Sequence, residues 1–274
     1  MIPLYFDTCA LRRLGRREPS VNSCFTPVTG GLTAVELVRA AERSTAEYAR
    51  VRPALAHLSA DWLQVDWRLP EQILMEMFPA MHIVQFSEER RSILEACVEM
   101  ANLGASHESF TAELRERCAP LGDSFFTSFL NRVASKHIGA TMQGHQILKA
   151  HAGSVADLRS VMSEPWWDDM SFRGTLHATA DIVRQLTESA GHNLSTENIR
   201  DSWAGDNDIY VRAATWCSDD SLRNVRTPAR NDGIDVLHFL YLEPGTILLS
   251  DDVRMLEIAD AVDVNTYAAG AVLG

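Results

Sequence analysis

The sequence predicts an α/β protein: a three-layer α/β/α core with a central, mainly parallel sheet, plus a large and mostly helical middle region. Short apolar runs near both ends of the chain stop at aspartate, as buried parallel strands do where they meet a turn or helix. Between the ends, apolar residues recur at helical spacing. We therefore expect residues 1–87 and 228–274 to form one discontinuous core and residues 88–227 to form a helical insertion.

The candidate strands are short apolar or alternating runs without helical periodicity. In chain order they are Ile2–Phe6, Trp62–Trp67, His82–Phe86, Thr246–Ser250 and Ala261–Val264. A helical stretch at 253–259 separates the last two. This strand–helix–strand order is typical of a parallel α/β layer.

The candidate helices share apolar residues three or four positions apart. In chain order they cover 32–51, 87–103, 108–118, 123–150, 154–162, 173–190, 195–204, 207–217 and 233–242. The first is expected to stop before Pro53, because proline breaks a helix interior. The polar segment Ser218–Arg230 is the candidate junction between the insertion and the rest of the core.

Charge and cysteine content exclude several classes of protein. The chain has 37 acidic and 25 basic residues, a net charge of −12, whereas proteins held on nucleic acid by bulk charge are basic. The five cysteines are scattered without a C-x-x-C pair, which favours unpaired thiols in a reducing compartment. There is no signal-peptide pattern and no apolar stretch long enough to span a bilayer. We expect a cytoplasmic protein without membrane contact.

Four acidic residues stand where a candidate strand ends or a candidate helix begins. Asp7 and Asp252 follow strands, whereas Glu36 and Asp235 lie near the starts of helices. Ligands of α/β sheets bind outside the carboxyl ends of parallel strands, so these side chains are expected to converge there. Converging carboxylates repel one another unless a hard cation neutralises them, and an all-oxygen donor set favours Mg²⁺ or Mn²⁺. The sequence therefore predicts a divalent-metal site.

The segments that carry these acids resemble, in the same order, the four motifs of PIN-domain ribonucleases. They are Tyr5–Leu11, Leu32–Arg39, Asn231–Tyr241 and Leu248–Asp252. The resemblance covers the two ends of the chain. Compact members of the family place the second and third acids much closer together, so the resemblance implies a large helical insertion or elaboration here.

Carried over by position, the resemblance implies that the catalytic and metal-binding acids are Asp7, Glu36, Asp235 and Asp252. Ser250 is the accompanying hydroxyl. Asp251 and Asp232 are the rival assignments. Asp252 is preferred because Ser250 falls two residues before it, and Asp235 because an apolar helix follows it directly. Asp232 could still cap that helix or bind the metal through water.

The implied activity is hydrolysis of RNA phosphodiester bonds by an endoribonuclease, with water as nucleophile and one or two Mg²⁺ or Mn²⁺ ions. Four arginines after Asp7 are expected to bind substrate phosphate through their planar guanidinium groups: Arg12, Arg13, Arg16 and Arg17. The resemblance also suggests a toxin or defence effector. RNA is the expected partner, and an inhibitor protein (an antitoxin) and a second copy of the chain are further candidate partners.

Each acidic position also has an ordinary structural explanation. Thr33 and Glu36 fit a capping box, Asp7 fits a turn, and the Asp251–Asp252 pair fits a helix cap. A second functional class also stays open: a PIN-like binding or assembly module that keeps the acids but cleaves little. A DNA flap-type nuclease is a third. Gly30 and Gly31 do not extend to a dinucleotide-binding G-x-G-x-x-G motif.

Overall fold

The computed structural model describes residues 1–81, 88–119, 155–188, 193–224 and 230–273. The chain divides into two compact units. The first comprises Met1–Pro70, Phe86–Ser128 and Tyr241–Gly274, and the second comprises Glu71–Gln85 and Phe129–Leu240. The predicted strand at His82–Phe86 and the predicted helix at 123–150 lie outside the described residues.

The first unit contains a sheet of five parallel strands, which confirms the predicted α/β class. The strands are β1 (Ile2–Phe6), β2 (Phe25–Gly30), β3 (Gln64–Asp66), β4 (Ile247–Ser250) and β5 (Thr266–Ala268), in the spatial order β3-β2-β1-β4-β5. The chain extends the sheet from β1 in one direction with β2 and β3, and in the other with β4 and β5. A topological switch point therefore lies between β1 and β4, where ligands of open α/β sheets bind.

The α-helices of the described residues are α1 (Thr8–Leu14), α2 (Gly31–Arg43), α3 (Thr45–His57), α4 (Pro70–Glu76), α5 (Glu89–Asn102), α6 (His107–Cys118), α7 (Val155–Val161), α8 (Trp167–Glu188), α9 (Thr196–Asp201), α10 (Asp208–Arg223), α11 (Arg230–Asp235), α12 (Val253–Ala261) and α13 (Ala269–Leu273). Among them, none combines the length and hydropathy needed to cross a bilayer. Short 3₁₀ helices cover Pro79–Met81 and Val236–Tyr241.

The bounds of the units differ from the predicted core and insertion. Helices α5 and α6, which fall within the predicted insertion, pack on α2 and α3 in the first unit. They do so through apolar faces that include Ile93 and Leu94 of α5 and Phe110 of α6. Residues 230–240 lie in the second unit, although the prediction places them in the core.

The predicted single helix over 32–51 is in fact two helices. The chain is extended at Ser44, and the Ser44 hydroxyl accepts a hydrogen bond from the Glu47 amide at 3.2 Å to cap α3. The spacing of Ser44 and Glu47 is itself a capping-box signal, so this break was readable in the sequence. Pro53 lies inside α3 rather than after a helix end, so that expectation was wrong. The candidate junction 218–230 was also misplaced at its start, because α10 continues to Arg223.

Two strands differ from the sequence prediction. Strand β2 was missed because it contains Pro27, which is unusual inside a sheet. Only Val28–Gly30 pair with β3, so Pro27 lies beyond the end of that ladder, where a missing N–H is tolerated. Strand β5 lies after the predicted 261–264 segment, because α12 continues to Ala261 and Asp263 then turns the chain with φ of 59°.

A buried carboxylate joins α8 and α10 in the second unit. Asp219 is only 6% exposed and accepts hydrogen bonds from Trp167 Nε1 at 3.0 Å and Ser171 Oγ at 2.7 Å. Burial raises the pKa of this carboxyl above its usual range, and the two donors oppose the shift without cancelling it. The folded state therefore holds a proton on Asp219 more tightly than the unfolded state does.

We expect part of the unfolding free energy to depend on pH through Asp219. This contribution is fully present below the unfolded-state pKa of aspartate and is lost as pH rises through the raised folded-state pKa. Asp219→Asn should remove this fall in stability, as measured by urea unfolding from about pH 4 to about pH 8. Asp206→Asn changes an exposed aspartate of the same unit and serves as the control. Identical pH profiles for the wild type and the Asp219 variant would contradict the prediction.

Candidate active site at the carboxyl edge of the sheet

Asp7 lies at the switch point, directly after β1. Its backbone amide donates to the Leu249 carbonyl of β4 at 3.4 Å, and its side chain is buried. Oδ1 accepts from the Ala10 amide at 2.7 Å, so Asp7 caps α1. Oδ2 accepts from the Ser250 hydroxyl at the end of β4. The capping role and the contact across the switch point therefore use different oxygens of one carboxylate.

Glu36 is directed toward α1 by a second hydroxyl. The hydroxyl of Thr8, the residue after Asp7, donates a hydrogen bond to Glu36 Oε2. The alternative capping box of Thr33 and Glu36 is not formed, because α2 begins at Gly31 and Thr33 is buried within its first turn. The side chain of Glu36 therefore lies next to the segment that carries Asp7.

The end of β4 separates the two rival aspartates. The Asp252 amide donates to Ser250 Oγ at 2.9 Å, and Asp252 Oδ1 caps α12 by accepting from the Arg254 amide at 2.8 Å. Asp251 is used differently: it accepts from Arg13 Nη1 at 2.8 Å and from the Gly270 amide at 2.9 Å. Asp252, unlike Asp251, thus continues the chain of contacts that begins at Asp7.

Three of the four predicted acids therefore lie along one series of contacts at this edge of the sheet. We call Asp7, Glu36 and Asp252 the acidic group. The Thr8 hydroxyl joins Glu36 to the residue that follows Asp7, and the Ser250 hydroxyl joins the Asp7 carboxylate to the backbone amide of Asp252. The donor atoms of the acidic group are all oxygens, which suits Mg²⁺ or Mn²⁺. In the ranges that the structure describes, however, no three Asp, Glu, His or Cys side chains form a preformed metal site. The hydroxyl contacts occupy carboxylate oxygens that a cation would use.

A buried tyrosine and a further acid belong to the same edge. Burial raises the pKa of Tyr5 far above its usual value, and the negative charges of Asp7, Glu36 and Asp66 raise it further. Asp66 ends β3 and accepts from Arg68 Nε at 3.0 Å. The sequence prediction did not include Asp66. Its position offers the same signal as the predicted acids, because β3 ends at an acid and β1 and β4 are each followed by one.

The four predicted substrate-binding arginines have different surroundings. Arg13 is held at the end of β4 by its ion pair with Asp251. Arg12 Nη2 lies 3.7 Å from Glu47 Oε2 in α3. Arg16 and Arg17 are exposed and follow the end of α1. The ion pair with Asp251, the residue before Asp252, fixes Arg13 next to the acidic group.

Asp232 and Asp235 belong to the second unit. Asp235 is the last residue of α11, and an apolar 3₁₀ helix follows it directly, so the predicted helix over 233–242 is divided at this residue. Asp232 is the acidic residue in the first turn of α11, and its side chain is buried. The assignment of either residue as the fourth acid stays a prediction.

These features define the class of protein: an α/β protein with an acidic group at the switch point of a parallel sheet. No family model, curated protein or solved structure matches the chain.

Proposed function

We propose that the chain is a PIN-like, divalent-cation-dependent endoribonuclease with a three-layer α/β/α core. The observation that supports this most is the contact between Asp7 and Ser250, which are 243 positions apart, at the switch point. The contact of Thr8 with Glu36 and that of the Asp252 amide with Ser250 bring two further acids of the PIN resemblance to the same segments. Their order along the chain and their place at the carboxyl edge are those expected of a hydrolytic metal site in such a sheet.

In this proposal Asp7, Glu36 and Asp252 hold Mg²⁺ or Mn²⁺, with Asp235 as the predicted fourth acid. A cation bound there polarises a phosphate and lowers the pKa of bound water. The chain's own groups supply the rest of the chemistry. Thr8 and Ser250 orient the carboxylates of Glu36 and Asp7, and one carboxylate of the group positions the attacking water.

Substrate phosphate requires positive charge, which the chain as a whole lacks at a net charge of −12. The predicted arginines supply it locally, and Arg13 offers guanidinium N–H donors at the end of β4, where its ion pair with Asp251 holds the half-exposed side chain. Planar guanidinium donors match phosphate oxygens well. The exposed Arg16 and Arg17 extend the same basic segment, and Arg12 completes the predicted set.

One observation favours the alternative, a PIN-like binding or assembly module that cleaves little. Both oxygens of Asp7 accept hydrogen bonds from the protein, and the described residues contain no preformed metal site. Cation binding at this edge would then require hydroxyl contacts to be exchanged for cation contacts. The toxin or defence role, the inhibitor partner and self-association stay predictions of the resemblance.

RNA cleavage by the full chain tests the proposal. With Mn²⁺ we expect the wild type to cleave RNA, EDTA to stop cleavage, and Asp252→Asn to reduce the rate about 100-fold, because a bound cation contributes several kcal/mol. Asparagine caps helices about as well as aspartate, so α12 should keep its N-cap. Asp260→Asn, an exposed position on the same helix, is the matched control and should retain full activity.

The same assay separates the candidate functions. Equal rates for the Asp252 and Asp260 variants would refute the catalytic assignment. Stabilisation by Mn²⁺ without cleavage of any substrate would favour the binding module. Single-stranded and branched DNA, offered in parallel with RNA, would reveal a flap-type nuclease by preferential cleavage of the branched substrate.

A further inference from the structure

We infer that the hydroxyl of Tyr241 fixes the start of α2 and, through it, the position of Glu36 beside Asp7. The structural part of this inference stands on contacts within the first unit. Its consequence for metal binding and catalysis rests on the proposed function. Tyr241 is therefore a positioning residue rather than a catalytic one.

The Tyr241 hydroxyl joins two segments at the carboxyl edge. Its Oη accepts a hydrogen bond from the Leu32 amide at 3.1 Å and donates one to the Arg68 carbonyl at 2.8 Å. Leu32 is in the first turn of α2, and Arg68 follows the end of β3. One hydroxyl thus fixes the beginning of the helix that carries Glu36 to the turn after the neighbouring strand.

Helix α2 needs this outside acceptor because its own N-cap offers none. The first amides of any helix lack partners within the helix, and a side chain usually satisfies one of them. Here the N-cap is Gly30, which has no side chain. Leu32 is buried, so water cannot readily replace the Tyr241 hydroxyl at its amide.

Close packing holds the Tyr241 ring in the same place. The ring stacks on Tyr5, with centroids 6.2 Å apart and planes inclined by 22°. A Cβ atom on Gly30 would lie 2.5 Å from the Tyr241 ring, and one on Gly31 would lie 2.5 Å from the Arg68 carbonyl oxygen. The Gly30–Gly31 pair, which matches no nucleotide-binding motif, is therefore explained by the approach of Tyr241 and Arg68.

Glu36 lies about one turn after Leu32 on α2, so a shift of the helix start moves its carboxylate relative to Thr8 and Asp7. The contact with the Thr8 hydroxyl depends on that placement. Groups that orient ligands without touching the metal commonly change metal affinity about 10- to 100-fold when they are removed.

Tyr241→Phe tests the inference, because it keeps the stacked ring and removes only the hydroxyl. Tyr48→Phe is the matched control: Tyr48 is also buried in the first unit, and its hydroxyl donates to the Ala105 carbonyl at 2.8 Å, away from the acidic group. The readouts are amide hydrogen exchange of peptides covering residues 30–40, the Mn²⁺ dissociation constant, and kcat and KM for RNA cleavage.

We expect Tyr241→Phe to speed exchange in residues 30–40, to weaken Mn²⁺ binding about tenfold, and to lower kcat more than it raises KM. Tyr48→Phe should change none of these. Equal behaviour of the two variants would overturn the inference, and faster exchange with unchanged Mn²⁺ affinity would overturn the link from α2 to Glu36. If the wild type neither binds Mn²⁺ nor cleaves RNA, the proposed function fails. The exchange comparison then decides the structural inference by itself.

Discussion

Asp7→Asn is expected to reduce Mn²⁺-dependent RNA cleavage about 1,000-fold or more, the largest effect of any substitution in the acidic group. A bound cation contributes several kcal/mol of transition-state stabilisation, and each 1.36 kcal/mol corresponds to a factor of ten in rate. The neutral amide is a poor ligand for a hard cation, and Asp7 is the member of the group that accepts the Ser250 hydroxyl at the switch point. Single-turnover cleavage with excess enzyme measures the loss directly.

The same variant should no longer be stabilised by Mn²⁺, whereas the thermal midpoint of the wild type should rise with Mn²⁺ concentration. Asparagine keeps an acceptor for the Ala10 amide, so the cap of α1 is retained and an unfolded variant is not expected. Asp260→Asn again serves as the control. Full cleavage or an unchanged Mn²⁺ response in the Asp7 variant would refute a metal site at the switch point.

Gly31→Ala is expected to lower the unfolding free energy of the first unit by about 3 kcal/mol, the upper part of the range for overpacking. The added Cβ would lie 2.5 Å from the Arg68 carbonyl oxygen and 3.2 Å from that of Trp67. Both atoms belong to the backbone, so no side-chain rotation relieves the contact. Urea unfolding of the wild type and the variant measures the difference.

Gly174→Ala provides the comparison for this result. Gly174 lies within α8, and a Cβ there would meet nothing within 4 Å. Alanine is preferred over glycine inside helices by about 1 kcal/mol, so this variant should be as stable as the wild type or more stable. A loss below about 0.5 kcal/mol for Gly31→Ala would show that the turn between β2 and α2 can open without cost.

The fold class was readable from the sequence because β1 and β4 are locally conspicuous apolar runs followed by acids. Strand β2 was not readable from the sequence, because a proline such as Pro27 argues against a strand. Only the structure shows that the residues of β2 that pair with β3 begin after Pro27. The break at Ser44 was carried by a local capping signal that the apolar periodicity obscured. Local composition thus predicts strands and helices well where a single signal dominates and poorly where two compete.

The acidic group was predicted in part for the same reason. Asp7 and Asp252 follow strands, and their partner Ser250 stands within the motif. The roles of Thr8 and Tyr241 could not be predicted, since each depends on a contact between distant segments. Tyr241 contacts Leu32, which is 209 positions away, and no sequence pattern near either residue predicts this contact.

The pairing of β1 with β4 determines when the acidic group can form during synthesis of the chain. Because synthesis runs from Asp7 towards Ser250, the 243 positions that separate them must be made before β4 can pair with β1. The nascent chain therefore carries an incomplete acidic group while it is still tethered to its own message. A protein with the proposed activity would become able to attack RNA only after Asp252 has been synthesised and β4 has paired with β1.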